Sequence, residues 1–360
     1  MNRSADRRPK VICQHLRRGP SCAQTRSSGK RPPQVSPDAD ESTSAPQPSS
    51  VTLLHDASAN QPLRGSLRSS RWERLSHGLY VPREPRRLTV DLAAWQLVLP
   101  ASACFTSLTS AQLRGWWQPS AVTHPVFVSV PSHDPHPQRR GLHVSRHPRP
   151  VPSEIIDGIH VASAAETLLA AARDLTLLEL VVLGDAALHV GDCTIDQLSS
   201  TASQRRRGAP LLRAAIPLLD KRSESPWESV LRLLHVVADI EVEPQKKIYD
   251  EWGNFVARAD LWVVGTRRIH EYDGEKHRER DTHRADLTRE RRLVEVNVQR
   301  VGFTSPQLLH EGASIIAGLD RLLGRTWNPR RLARWEALLD HSLLRPSGRA
   351  EAMRRWRRSM

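Results

Sequence analysis

The amino-acid sequence predicts a mixed α/β and α+β protein with more than one domain. Its 360 residues exceed the usual length of a single domain and favour two or three. Hydrophobic residues make up 39% of the chain, which is enough to form buried cores. Stretches with a helical apolar period alternate with stretches that have the two-residue period of strands, so both element types are expected.

The first 50 residues are expected to form a disordered basic arm. They are rich in Arg, Ser, Pro and Gln and are nearly free of aliphatic runs. A segment of this composition cannot bury enough apolar surface to offset the entropy cost of ordering it. A start codon assigned too early is an alternative that the sequence leaves open.

A first ordered region is expected from Val51 to residue 203. Residues 71–81 alternate in a way that predicts a hairpin turning at 76–78. Four apolar side chains of this hairpin are expected to face the core: Trp72, Leu75, Leu79 and Val81. Helices are expected at 89–99, 104–114 and 177–188, and strands at 127–130, 142–145 and 159–161. Ser163 and Glu166 have the spacing of a capping box that begins a further helix.

A second ordered region is expected over 204–325. It follows a basic stretch at 204–208 that is either a linker or the start of a helix. Ser225, Pro226 and Glu228 predict a helix capped by Ser225. Strands are expected at 246–250, 254–264, 268–273 and 294–301, and helices at 281–293 and from Ser305. Residues 326–360 are expected to form a last helix from Asn328 and a basic tail.

Three carboxylates in the second region form the candidate catalytic site. Glu271 and Asp273 stand two residues apart on one predicted strand, so they project from the same face. A hairpin with the preceding strand brings Asp260 beside them. Clustered acidic groups repel one another and are tolerated mainly around a cation, and hard oxygen ligands favour Mg²⁺ or Mn²⁺. Such a metal activates water and stabilises charge on a phosphodiester. A solvated, charged hairpin is the alternative.

Two further side chains are candidates for the same site. His277 follows the Asp273-Gly274 turn and is placed to orient or deprotonate a water. Glu228 is a candidate from the helix, although a purely structural role as the capping-box Glu explains it equally well. Arg284, Arg289 and Arg291 belong to a charged helix that either contacts DNA phosphates or forms a solvated, salt-bridged surface.

The charge balance favours a polyanionic partner. There are 53 Lys and Arg against 39 Asp and Glu, which gives a formal net charge of +14. Nucleic acid is favoured before membrane, although a genome that prefers Arg codons explains the balance as well. The four cysteines form no C-x-x-C pair, and no apolar run is long enough for a membrane span or a signal peptide. A soluble cytoplasmic protein is therefore expected, with no membrane partner.

The motifs at residues 222–315 resemble those of the very-short-patch-repair-like endonucleases, within the PD-(D/E)XK superfamily. The similar features are a helical Glu, an R-x-D strand ending at Asp260, an E-x-D-G-x-x-H pattern from Glu271 to His277, and an Asp/Arg-rich helix. The resemblance implies a restriction-endonuclease-like α/β domain that cleaves DNA with Mg²⁺ or Mn²⁺. It assigns Asp260 and Glu271 to the metal, with Asp273 standing where the wider superfamily places a Lys.

The region 51–203 resembles the AbiEi-type antitoxins of type IV toxin–antitoxin systems. The resemblance rests on residues 72–81, 126–131, 140–144 and 161–168. It implies an antitoxin-like α+β region with a degenerate winged-helix start, because the helices that should precede the hairpin are short or absent. Two functions are therefore carried forward: a metal-dependent DNA endonuclease, and a catalytically silent DNA-binding regulator or antitoxin-like protein with a cognate toxin as partner. The sequence gives no oligomeric state.

Overall fold

The computed structural model describes residues 52–53, 72–83, 87–119, 122–274 and 280–357, with side chains described for 73–83, 87–119, 122–274 and 287–357. The predicted arm at 1–50 lies outside these residues. The described part folds as a mixed α/β protein with three sheets and twelve α-helices. No described helix is long and apolar enough to cross a membrane.

A small sheet and one helix open the described part of the chain. The sheet has the order β1-β3-β2 and consists of β1 (Thr52–Leu53), β2 (Trp72–Ser76) and β3 (Leu79–Pro82). β2 and β3 form the predicted hairpin, and Leu79 and Val81 are fully buried, as their alternation predicted. The helix α1 (Leu88–Gln96) packs against β3 and contributes the buried Trp95.

The second sheet has five strands in the order β6-β5-β4-β8-β7. Its strands are β4 (Cys104–Phe105), β5 (Val126–Pro131), β6 (Leu142–His147), β7 (Ser153–Ile156) and β8 (Ile159–Ala162). β5 pairs with β6 and β4 pairs with β8 in parallel, while the other two pairings are antiparallel. A helical layer accompanies it: α2 (Ser107–Leu113), α3 (Ala164–Ala171), α4 (Leu177–His189), α5 (Ile195–Ser203) and α6 (Ala209–Ala215).

The third sheet carries the predicted site. It follows α7 (Pro226–Val237) and has the order β12-β11-β10-β9, built from β9 (Val242–Tyr249), β10 (Phe255–Val263), β11 (Arg268–Tyr272) and β12 (Gln299–Phe303). β9, β10 and β11 form an antiparallel meander, whereas β12 pairs in parallel with β11 after the crossover helix α8 (Arg280–Glu295). The chain continues as α9 (Ser305–His310), α10 (Gly312–Leu322), α11 (Pro329–Asp340) and α12 (Pro346–Arg357).

One apolar core continues across the predicted boundary at residue 203. The same cluster of buried side chains includes Leu183 on α4, Leu234 on α7 and Trp335 on α11. A buried ion pair also joins the two regions: the Arg232 guanidinium donates to Asp185 at 2.6 Å. The apolar face of α7 therefore packs partly against helices that precede the third sheet.

Four sequence-based expectations differ from the structure. Ser163 makes no side-chain capping bond, and the Glu166 carboxylate is bound by Arg206 instead of closing a capping box. The expected helix at 104–114 begins with β4, and α2 starts only at Ser107. The strand expected at 294–301 is displaced to Gln299–Phe303, because α8 continues to Glu295 and turns at Asn297, whose φ is +55°.

The basic C-terminal tail is the fourth difference. Residues up to Arg357 belong to α12, and the Trp356 side chain is only 1% exposed. Its ring meets Phe127 of β5 edge to face, with centroids 5.7 Å apart. Trp356 is therefore a core residue of α12 and does not belong to an exposed basic tail.

Candidate functional site

The register of the third sheet places Asp260 beside Glu271. Leu261 pairs with His270 and Trp262 with Ile269, so Asp260 is the next residue of β10 toward Glu271 on β11. Glu271 is 4% exposed, and the neighbouring His270 points to the opposite face of the sheet. Asp260 thus lies beside Glu271 on one face of the sheet, as the predicted hairpin of the two strands required.

Asp260 is a half-buried carboxylate beside other negative charges. Its Oδ2 accepts a hydrogen bond from the Tyr272 backbone N–H at 3.1 Å. Burial and the negative charges of Glu228 and Glu271 together raise the pKa of Asp260 to about 7. The hydrogen bond from Tyr272 and the charge of Arg289 act in the opposite direction but are outweighed. The fold therefore holds Asp260 where its ionisation needs a compensating positive charge.

Glu228 has a structural role and also belongs to the acidic cluster. Its backbone N–H donates to the Ser225 hydroxyl at 3.2 Å, as the helix-start pattern predicted. Its carboxylate Oε2 accepts from Glu224 N and Gln245 Nε2, both at 2.9 Å. Burial raises the pKa of Glu228, and its hydrogen bonds with Glu224, Ser225 and Gln245 oppose this rise.

Two arginines compensate the remaining carboxylates. Arg289 of α8 donates to both oxygens of Glu271, with Nη1 at 2.9 Å. Arg300 of β12 joins Glu271 at 2.6 Å and Asp273 at 2.5 Å. Arg289 also donates to the Arg258 carbonyl at 3.0 Å, which ties α8 to β10. Arginine side chains therefore neutralise Glu271 and Asp273, whereas Asp260 takes no part in these ion pairs.

Gly302 of β12 provides the space that Asp273 occupies. A Cβ at this position would overlap the Asp273 carboxylate. The parallel register places Gly302 opposite Glu271, directly beside the residues that bind Arg300. A side chain larger than hydrogen would therefore disrupt the acidic cluster.

The opposite face of β11 supports the site with rings. His270 Nδ1 and His235 Nε2 are 2.8 Å apart, and His235 Nδ1 lies 2.8 Å from the Leu231 carbonyl. Burial lowers the pKa of His270 to about 2 and that of His235 to about 4, so both rings are neutral at pH 7. Trp227 stacks on Tyr272 at 5.6 Å, which fixes the strand end that binds Asp260.

The remaining predicted residues fall into different positions. His277 and the Arg284 side chain lie outside the described residues. Arg291 is exposed on α8, while Arg289 is engaged with Glu271. Sequence reasoning missed Arg300, the second partner of Glu271. Its sequence signal is weak for two reasons. Arg300 lies on β12, which begins later than the predicted strand, and β12 pairs in parallel with β11, a strand about 30 residues earlier in the chain.

The carboxylate oxygens of the site are ligands of the kind that hard cations prefer, but some of them are already bound by arginine. Within the described residues, no three His, Cys, Asp or Glu side chains are arranged to hold a metal ion. Asp260 and Glu228 fit Mg²⁺ or Mn²⁺, since both are carboxylates in an environment that disfavours negative charge. Glu271 fits only if its bonds to Arg289 and Arg300 rearrange.

The site therefore places a carboxylate, Asp260, beside two arginines, Arg289 and Arg300, that bind the neighbouring Glu271. Such a surface suits a phosphate bound beside a cation. Comparison of the sequence with protein-family models and with curated proteins found no match.

Proposed function

We propose that the C-terminal region is a metal-dependent endonuclease that hydrolyses DNA phosphodiester bonds. The observation that carries the proposal is Asp260, a half-buried carboxylate whose pKa is raised to about 7 by burial and by Glu228 and Glu271. Perturbed carboxylates of this kind cluster at functional sites, and a bound cation would relieve the repulsion.

The order of elements supports a restriction-endonuclease-like domain. α7 with Glu228, the strand with Asp260, the strand with Glu271 and the charged helix α8 follow one another as the resembling motifs do. The meander β9–β11 and the crossover to β12 place Asp260, Glu271 and Arg300 on neighbouring strands, and Arg289 of α8 donates to Glu271. The sheet thus provides a rigid frame for residues that are far apart in sequence.

Each side chain has a proposed role. Asp260 and Glu228 would hold Mg²⁺ or Mn²⁺, and Glu271 would join them once its bonds to Arg289 and Arg300 rearrange. When bound, the cation supplies an activated water and stabilises charge on the phosphate. Asp273 positions Arg300 through its ion pair. Arg289 and Arg300 orient the backbone phosphate that replaces a carboxylate as their partner. His277, by the resemblance, orients or deprotonates the water.

A nicking assay tests the proposal. Supercoiled plasmid and single-stranded DNA are incubated with Mg²⁺ or Mn²⁺, beside EDTA and the variant Asp260→Ala; the exposed Asp196→Ala serves as the matched control. We expect metal-dependent nicking that Asp260→Ala abolishes while DNA affinity is retained. Equal nicking by both variants, or none by the wild type, would contradict the enzyme.

A DNA-binding regulator without catalysis is the second candidate. It is favoured by the ion pairs of Glu271 with Arg289 and Arg300, which already neutralise one proposed metal ligand. Such a protein should bind DNA equally well with Mg²⁺ and with EDTA. Its affinity should fall with salt and on Arg291→Ala, because phosphate contacts release counterions. Asp260→Ala should leave it unaffected.

A further inference from the structure

A second concave site lies in the region that precedes the third sheet. Its volume is about 520 Å³, within the range of small-molecule pockets. Six arginines line it, at positions 146, 149, 173, 205, 206 and 207, together with His147. Among the described residues that line it, Glu166 is the single carboxylate. The wall therefore carries a large excess of positive charge.

Glu166 does not neutralise this excess. It is 4% exposed and is bound through both oxygens by Arg206, at 2.6 and 2.7 Å. This pair attaches the loop at 204–207 to α3. Gly208 completes the attachment, because its φ is +89° and an added Cβ would lie 2.5 Å from the Leu169 carbonyl. The backbone of this loop and the Arg206 side chain are thus held in place before any ligand arrives.

Arg173 is the strongest sign of a missing anion. It is half-buried, and within the described residues it has no ion pair. Its Nε is shielded from solvent without a hydrogen-bond partner, and its Nη1 lies 3.5 Å from His147 Nε2. Burial and the neighbouring Arg207 and Arg206 lower the pKa of Arg173, although Asp174 opposes them. A buried guanidinium in this state is costly unless an anion pairs with it.

The rest of the lining matches a compact organic anion. The Thr106 and Ser129 side chains add hydroxyl groups, and Leu169, Ala170 and Val151 add apolar surface. A concave site of arginines, hydroxyls and one apolar wall suits clustered phosphates attached to a small organic group. An extended nucleic-acid strand would instead require a basic track along an open face.

We propose that this pocket binds a small polyphosphate anion, such as a nucleoside triphosphate, through Arg173, Arg206 and Arg207. The ligand would pair with Arg173 at the wall and with the loop arginines at the rim. This site is separate from the carboxylates of the third sheet and does not depend on the nuclease activity.

Isothermal titration calorimetry on the full chain tests the proposal. ATP and inorganic pyrophosphate are the two probes, at constant ionic strength and with EDTA, so that the carboxylate site does not contribute. We expect saturable binding that weakens at least tenfold in Arg173→Met, and less in the exposed Arg207→Met. Arg330→Met, which changes an exposed arginine outside the pocket, should bind as the wild type does.

The outcomes separate the alternatives. Binding of ATP but not pyrophosphate identifies a nucleotide, and binding of both identifies the polyphosphate itself; either supports the pocket. Equal affinities of Arg207→Met and Arg330→Met would overturn the proposal even if Arg173→Met fails to fold. The proposal would also be overturned if the protein bound a DNA oligonucleotide but neither ATP nor pyrophosphate, and if Arg207→Met weakened that DNA binding.

Discussion

At the scale of single residues, Asp260 links stability to pH. Its folded-state pKa of about 7 lies above the usual value, so the folded protein holds this proton to higher pH than the unfolded chain does. Stability from the neutral carboxyl is complete below the unfolded value and is lost as pH rises from about 4 to about 7. Ionisation of this carboxyl at neutral pH therefore lowers the stability of the fold.

Asp260→Asn should therefore stabilise the protein at alkaline pH. The amide keeps an oxygen for the Tyr272 N–H but carries no charge. At pH 8 the free energy of unfolding should rise by roughly 2–4 kcal/mol relative to wild type, with little change near pH 4. Urea denaturation across this range measures it. Asp196→Asn, on the surface, should keep the wild-type pH profile, and a similar profile in Asp260→Asn would contradict the raised pKa.

Gly302→Ala should be destabilising although the change is a single methyl group. The new Cβ would overlap the Asp273 carboxylate and separate it from Arg300. We expect a loss of about 1–3 kcal/mol, the usual cost of overpacking. Gly318→Ala, inside helix α10, is the matched control. An added Cβ there would have only Arg321 Nη2 nearby, at 4.0 Å, so the change should stabilise the helix by about 0.5–1 kcal/mol. Equal stabilities of the two variants would show that Asp273 moves freely.

At the scale of elements, local signals predicted what local interactions determine. The cap of α7 at Ser225 follows from residue spacing, and the hairpin of two neighbouring strands predicts that Asp260 lies beside Glu271; both are present. The strand at 294–301 was misplaced because Val294, Val296 and Val298 alternate. Leu293 and Val298 are buried while Val294 is 68% exposed, which is the pattern of a helix end followed by a turn.

Long-range contacts account for what the sequence could not predict. Arg300 reaches Glu271 only because β12 pairs in parallel with β11, and no local motif specifies that pairing. Trp356 stands between arginines, so its neighbours suggested a solvated tail. Its burial against Phe127 depends on tertiary packing that composition does not encode.

Trp356→Ala tests whether α12 is part of the core. The side chain is 1% exposed, so its removal leaves a large cavity and should cost about 3–5 kcal/mol. Arg354→Ala, two residues earlier on the exposed face, should change stability by less than about 0.5 kcal/mol. Thermal and urea unfolding measure both. If the Trp356 variant were as stable as the Arg354 variant, the burial of Trp356 in the core would be contradicted.

At the scale of the whole molecule, the two predicted regions share one interior. The core cluster extends from Leu108 on α2 to Trp356 on α12. Within it, Asp185 accepts bonds from Arg232 at 2.6 Å and from the Asp220 N–H at 2.7 Å. Burial raises the pKa of Asp185, so the ion pair is needed to keep the carboxylate charged. Folding of the third sheet is therefore expected to depend on the helices before it.

Arg232→Met should destabilise the whole chain. Removing one partner of a buried ion pair leaves an uncompensated charge and costs about 3–5 kcal/mol. The double variant Asp185→Asn/Arg232→Met removes the charge but keeps an oxygen for the Asp220 N–H, and should recover at least half of that loss. Unfolding followed by circular dichroism should show one transition in every variant. A separate transition for each region would indicate independent domains.

The parallel strand β12 also has a consequence for the order of folding. The meander β9–β11 pairs residues that are close in sequence, whereas β12 joins only after α8 has crossed the sheet. Since non-local pairing is slow, Asp260 and Glu271 should come together before Arg289 and Arg300 arrive. Repulsion in that intermediate stage would delay refolding. In stopped-flow experiments Glu271→Gln should therefore refold faster than wild type at low salt, even though the finished sheet loses two ion pairs.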